Sequence, residues 1–414
     1  MEMAASLEPS FHRAIGYSLL MKLSGWMISN WPIVILQGLM VTLLSFRLVQ
    51  LLTIKRQYWN HFLLVSVLSF STSLSWYAAQ LMPDIFTFLV GLTAILIIVE
   101  SKLSWKKMIG YSAILFVGLI THLSHIPMLL LVILSLLILK KVIKADVSRR
   151  KIGMLAAPLV LAFIFTCSYN AIWGYGFRMS MASNVFITAN FGEMGILKMY
   201  LDENCPESSN ALCEIKDKLP LETGGYLWDS DGPVNHISGG WEEINDQCAP
   251  IVHDFLTKPR YLKWLVFASV KATFKQMFQI ELGSGLQYTY ADGSPPSWPM
   301  HSHFKLELNE YLVSVQNKDA SQLPIDFFKM LNYISLFLSL LILGWAVLTK
   351  KLDEKLALVL VVSFAFYFFN AAITGVLANV YERLQTRLLP LFPMIAMLVL
   401  ITKSKFFNQS AEAE

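Results

Sequence analysis

Arg383 and Arg387 stand at the head of an apolar run that continues to Thr402, within the segment Tyr381-Glu382-Arg383-Leu384-Gln385-Thr386-Arg387-Leu388-Leu389-Pro390-Leu391-Phe392-Pro393. At this spacing the two side chains lie one helical turn apart and share a face. Guanidinium forks match phosphate oxygens in both shape and charge. A cation at a bilayer edge is tolerated where it reaches water or a phosphate, and is costly deeper in. The pair reads as a seat for a lipid phosphate, with interfacial anchoring as the plain alternative. Glu382 either orients an arginine or is solvated.

Other residues with chemical potential are scattered. Asp84 follows Pro83 at the start of an apolar run. That is an ordinary helix N-terminus, or a carboxylate facing a cavity as metal ligand or substrate contact. His122 and His125 lie three apart before Pro127, a spacing that can place two imidazoles on one face; a structural or a substrate-binding role fits. Glu8, His12 and Arg13 precede the apolar run Ala14–Leu20 and read as tail charge or as the lining of the same cavity. No Walker A, G-x-S-x-G, H-E-x-x-H or G-x-G-x-x-G pattern occurs. No cluster has metal-ligand spacing, so a divalent cation has no sequence signature here.

The elements that position these residues are membrane spans. The 414 residues are 55% hydrophobic and only 15% charged, with mean hydropathy +0.52. This composition indicates a mainly α, polytopic membrane protein. The net charge of +4 is small, and basic residues concentrate in short loops. That is a topology signal and does not point to nucleic acid. Arg47 is the main charge inside a span, which counts against an ion or proton pathway.

About nine apolar spans are expected, over 32–54, 61–82, 84–100, 108–121, 127–143, 153–172, 328–349, 356–377 and 386–402. Basic clusters follow alternate spans: Lys55 and Arg56; Lys102, Lys106 and Lys107; Lys140, Lys141, Lys144, Arg149, Arg150 and Lys151; Lys350, Lys351 and Lys355; Lys403 and Lys405. The positive-inside rule puts that side in the cytoplasm. The N-terminus, Asp84, the His122/His125 turn, the Tyr381–Arg387 segment and an insert over 173–326 then share the outer face. A bacterial inner membrane is the expected location. Residues 1–10 show no basic n-region of a cleavable signal peptide.

The organisation expected is an outer N-terminal segment with an amphipathic helix (1–31), about six spans (32–172), a small loop-rich outer domain (173–326), about three more spans (327–403) and a cytoplasmic tail (404–414). Within the insert, 206–218 reads as a polar helix and 259–281 as an amphipathic helix on the membrane surface. Cys205, Cys213 and Cys248 lie in this polar part and allow one disulfide in an oxidising space.

The plan resembles the GT-C superfamily of polytopic glycosyltransferases. Arg13-Ala14-Ile15-Gly16-Tyr17-Ser18-Leu19-Leu20 is similar to the family's R-P-x-G-Y-P-L-L segment. Leu81-Met82-Pro83-Asp84 looks like its L-x-P-E/D span entry, and Arg387–Pro393 is similar to R-Y-x-x-P-x-x-P with Leu388 in place of tyrosine. The resemblance implies a polyprenyl-phosphate-linked sugar donor and a lipid or glycan acceptor on the outer face. It implies Asp84 or Glu8 as the catalytic acid group. Arg383, Arg387, Arg13, His122, His125 and Glu382 become substrate contacts. The family's first span and acidic outer loop have no counterpart ahead of residue 13, where only Glu2 and Glu8 are acidic. An outer-face glycan polymerase or ligase, and a non-catalytic membrane scaffold, are the rival readings. A polymerase would need arginines in the insert, which offers Arg178 and Arg260.

Overall fold

The computed structural model describes residues 1–403 except 26, 143–146, 206–209, 220, 238, 284 and 287–288. The tail expected over 404–414, Lys144, Lys405 and the start of the helix expected over 206–218 lie outside the described residues. Helix α1 (Gly16–Gly25) precedes α2 (Trp31–Leu52). A pair, α3 (Gln57–Ser71) and α4 (Leu74–Ala79), leads to α5 (Ile85–Val99), α6 (Trp105–Thr121), α7 (His125–Val142) and α8 (Arg149–Ile172). The insert contributes α9 (Ser183–Glu193), α10 (Gly240–Thr257) and α11 (Pro259–Met277) among shorter turns. The rest comprises α12 (Ile325–Leu348), α13 (Glu354–Leu377), α14 (Glu382–Thr386) and α15 (Leu391–Lys403). Among the described residues no strand forms; Ser10 and Arg13 make an isolated bridge.

Among the described residues, five helical stretches are long and apolar enough to cross a membrane: α2, α8, α12, α13 and the α14–α15 stretch Glu382–Lys403. Their outward faces are apolar. Ile35, Leu39 and Leu43 on α2, Leu161 and Ile164 on α8, and Phe337 and Leu341 on α12 are exposed. Such belts are what lipid covers in a membrane-associated protein.

Helix α5 is apolar all round, and every residue from Ile85 to Val99 is buried. A helix without a polar face belongs in a core, and α2, α6 and α13 enclose this one. Both of its ends carry a carboxylate. At the C-terminal end, buried Glu100 pairs with Arg47 of α2 and Lys107 of α6 and accepts from Tyr111 Oη at 2.9 Å. Asp84 stands at the other end.

Local breaks differ from uninterrupted spans. The run over 61–82 divides into α3 and α4 because its hydroxyls compete for backbone carbonyls. Ser71 Oγ donates to Val67 O at 2.8 Å, Thr72 Oγ1 to Leu68 O at 2.5 Å and Ser75 Oγ to Ser69 O at 2.7 Å. The run over 386–402 divides at Pro390, which cannot continue the hydrogen-bond ladder of α14.

The insert has its own core, built on Phe191, Tyr200, Leu212, Tyr226, Cys248 and Phe255. The Cys205–Cys213 disulfide closes one edge, and Cys167 and Cys248 are free and buried. Only Ala211–Lys218 of the expected polar helix is seen, as a 3-10 helix. Helix α11 packs against α13, with Ala272, Thr273 and Gln276 buried. A side chain at Gly375 would come within 3.0 Å of the Ala272 carbonyl oxygen. Val266, Phe267, Val270 and Phe274 remain on its exposed side. The amphipathic reading thus fits its pattern, while its buried face meets a helix of the bundle.

Candidate functional site

Asp84 is the residue before α5, and its carboxylate does not cap that helix. It faces the arginines instead. Arg387 Nη1 donates to Asp84 Oδ1 at 3.0 Å, and Arg387 Nη2 donates to Asn370 Oδ1 at 3.1 Å. Asn370 in turn donates to Leu384 O at 2.6 Å and to Gln385 Oε1 at 2.9 Å. Gln385 Nε2 completes the chain to Tyr367 O at 3.1 Å. Helix α14 is thereby folded back along α13. Asn370 lies seven residues before the end of α13, a depth of about 10 Å at 1.5 Å per residue. The arginine segment is thus held against the C-terminal half of α13.

Arg387 is 0% exposed at its side chain, so it is a buried partner of Asp84. Arg383 differs. Its side chain is 28% exposed, its Nε lies 3.7 Å from Asp84 Oδ2, and that Nε is buried with no hydrogen-bond partner. Its main chain is fixed by α4, where Tyr77 Oη donates to Arg383 O at 3.2 Å and also bonds the Thr386 hydroxyl. Ser73 Oγ donates to Thr386 O at 2.8 Å.

Arg13 reaches the same charges from the N-terminal segment. It is exposed to solvent yet surrounded by protein. That enclosure first, and Arg383 second, pull its pKa down, while Asp84 pulls it up. Helix α1 holds it there. A Cβ at Gly16 would lie 2.3 Å from Ile120 O, so only glycine lets α1 sit on the end of α6. Tyr17 Oη donates to Gln37 Oε1 at 3.0 Å, and Gln37 donates to Ala78 O at 2.9 Å. Two arginines therefore pair with one carboxylate, and Arg13 stands near enough to feel their charges.

The two histidines part company. His125 is spent on structure: Nε2 bonds Thr87 Oγ1 at 2.7 Å and Nδ1 bonds Gly118 O at 2.7 Å. His122 is half-buried, with Nδ1 2.7 Å from Ser124 Oγ. Burial lowers its pKa, and the charges of Arg387, His125 and Arg383 lower it further, so it is neutral at neutral pH.

Glu8 sits apart: it is exposed and accepts from Tyr175 Oη at 3.0 Å. Glu382 is half-buried in the first turn of α14. The structure thus joins Asp84, Arg383 and Arg387 by contact, with Arg13 and His122 near enough to feel their charges. Asn370, Gln385, Tyr77 and Gln37 escaped sequence reasoning; the only signal was a lone polar residue inside an apolar run. No group of three or more His, Cys, Asp or Glu that could hold a metal ion occurs among the described residues.

No family model matches the chain, and no characterised protein or solved structure does so either.

Proposed function

We propose that this chain is a GT-C-like glycosyltransferase that takes a sugar from a polyprenyl-phosphate donor on the outer face of the membrane. One observation carries the reading: Arg383 and Arg387 share the single carboxylate of Asp84, with Arg13 close enough to feel them, so the cluster has positive charge to spare for an anion. A lipid phosphate supplies that anion beside an apolar surface. The Cys205–Cys213 disulfide in the insert favours an oxidising compartment on the side of the arginine cluster. The basic residues Lys107 and Lys151 gather at the opposite end of α5, as the positive-inside rule asks of a cytoplasmic side.

In this reading Arg387 holds Asp84, and Arg383 and Arg13 grip the phosphate. The acceptor hydroxyl attacks the anomeric carbon, and the bond from that carbon to the phosphate oxygen breaks. The phosphate leaves with the electron pair, stabilised by the two guanidiniums. Neutral His122 takes the hydroxyl proton. Asp84 is committed to its ion pair with Arg387, so the proton-accepting role passes to the imidazole.

The experiment is transfer from an undecaprenyl-phosphate sugar, run beside binding of undecaprenyl phosphate. Arg383→Ala and Arg13→Ala each weaken lipid-phosphate binding by about tenfold or more, the loss expected of one charge-assisted hydrogen bond, and transfer falls with it. Unchanged binding and turnover in both variants would sink the assignment.

A further inference from the structure

Two buried side chains of the insert hold the link between α13 and α14. At its start, Asn190 of α9 donates from Nδ2 to Gly375 O at 2.9 Å and to Val376 O at 2.7 Å. These are carbonyls that the end of α13 leaves without helical partners. At its finish, Gln276 of α11 grips Tyr381, the residue before α14. Tyr381 N donates to Gln276 Oε1 at 2.8 Å, and Gln276 Nε2 donates to Tyr381 O at 3.0 Å. Both residues, Asn190 and Gln276, are 0% exposed.

The grip is chemically specific. Tyr381 is extended, with φ −148° and ψ 136°, so its N–H and C=O point to the same side, as they do toward a partner strand. A side-chain amide offers an acceptor and a donor side by side and so meets both. The place of Gln276 is itself fixed, because α11 packs on α13: Gly375 lets the Ala272 carbonyl approach, and Tyr367 Oη donates to Met277 O. Tyr381 then reaches Arg383 directly. The guanidinium carbon lies 5.8 Å from the centre of the Tyr381 ring, within cation–π range. The other contacts of that guanidinium are weak. Nη1 lies 3.7 Å from Met82 Sδ, and Nε lies 3.7 Å from Asp84 Oδ2 with no hydrogen-bond partner.

We propose that Gln276 is a positioning residue: by pinning both backbone groups of Tyr381 it sets where the Arg383 guanidinium stands. The insert thereby does more than cover the bundle, since one of its side chains fixes the segment that carries the open arginine. A shift of about 1 Å in a supporting contact is enough to weaken a charged site. The pinning follows from the contacts alone. Its bearing on a lipid phosphate rests on the transferase reading.

The test uses the full chain in detergent. Gln276→Met keeps the volume and removes both hydrogen bonds. Gln276→Glu keeps an acceptor for the Tyr381 N–H and loses the donor to Tyr381 O; it serves if the Met variant does not fold. Hydrogen exchange read by mass spectrometry with electron-transfer fragmentation reports the pinning without any ligand. The Tyr381 amide exchanges about fivefold faster or more in the variant, the loss expected of one hydrogen bond. An unchanged rate overturns the proposal. Binding of undecaprenyl phosphate reports the consequence. Gln276→Met weakens it about threefold to tenfold, no further than Arg383→Ala does. In an Arg383→Ala background the same substitution adds less than about twofold, because its route runs through Arg383. A full additional loss in that background means a general loosening of the fold and overturns the proposal, as does unchanged binding in Gln276→Met where Arg383→Ala is weakened. If Arg383→Ala binds like the wild type, the transferase reading fails instead, and the exchange rate at Tyr381 decides the pinning by itself.

Discussion

Arg387 and Asp84 form a closed pair, Nη1 to Oδ1 at 3.0 Å, with the arginine side chain wholly enclosed. The arginine that looked best placed for an incoming phosphate is thus committed to a neighbour from the start of α5. Arg383 and Arg13, by contrast, stay open.

Breaking the pair from one side strands a buried charge. Arg387→Ala should destabilise the protein by about 3–5 kcal/mol, while replacing both partners by apolar residues of similar volume should come close to neutral. Thermal unfolding of Arg387→Met, Asp84→Leu and the double variant in detergent gives the comparison. Equal losses in the single and double variants would contradict the buried-pair account.

Gly16 offers a steric test of how Arg13 is presented. Gly16→Ala puts a methyl group against Ile120 O, so α1 must lift from α6 at a cost of about 1–3 kcal/mol. Weaker undecaprenyl phosphate binding, with Arg13 itself untouched, is the expected result. An Ala variant that unfolds and binds like the wild type would show that α1 does not position the arginine.

His12 makes stability depend on acid. Its pKa is about 4 in the folded chain against 6.5 in an unfolded one. Below 6.5 the unfolded chain takes up the proton first, so stability falls as pH drops from 6.5 toward 4 and then levels. His12→Phe keeps a ring beside Trp228 and Trp241 and removes the titration, so the decline becomes shallower. Identical pH profiles for wild type and variant would refute the assignment.

His122 has the opposite consequence for turnover. Because burial and then the nearby cations lower its pKa, the base form persists below pH 6.5. Turnover should hold through that pH and fall only well beneath it, and His122→Gln should abolish the acid limb. A midpoint at 6.5 or above, unchanged in the variant, rules this base out.

The disulfide gives a chemical count. Cys167 and Cys248 are buried and Cys205 is joined to Cys213. A membrane-impermeant maleimide should label none of the four in intact folded protein, and Cys205 and Cys213 after reduction, from the outer side alone. Closing this short loop is worth about 2–3 kcal/mol to the insert, a loss that Cys205→Ser with Cys213→Ser should reproduce.

The apolar runs in the sequence coincide with helices because burial in lipid or in a core requires unbroken apolar length. The convergence of Asp84 with Arg383 and Arg387 was foreshadowed by the expectation, drawn from loop charges, that they share one face. What stayed hidden depends on contacts between distant segments. Nothing about residue 370 announces that an asparagine among phenylalanines will grip Arg387. Nothing about Ser71–Ser73 distinguishes a broken helix from a span. The separate fates of His122 and His125 depend on Thr87 and Gly118, which lie on other helices. The grip of Gln276 on Tyr381 arises only when the insert meets the arginine segment.

Helix α5 is moored at both tips, to Arg387 above and to Arg47 and Lys107 below. Each mooring is a buried carboxylate that would lose several kcal/mol if pulled free. The central rod is therefore a fixed axle, unable to slide past the helices that surround it.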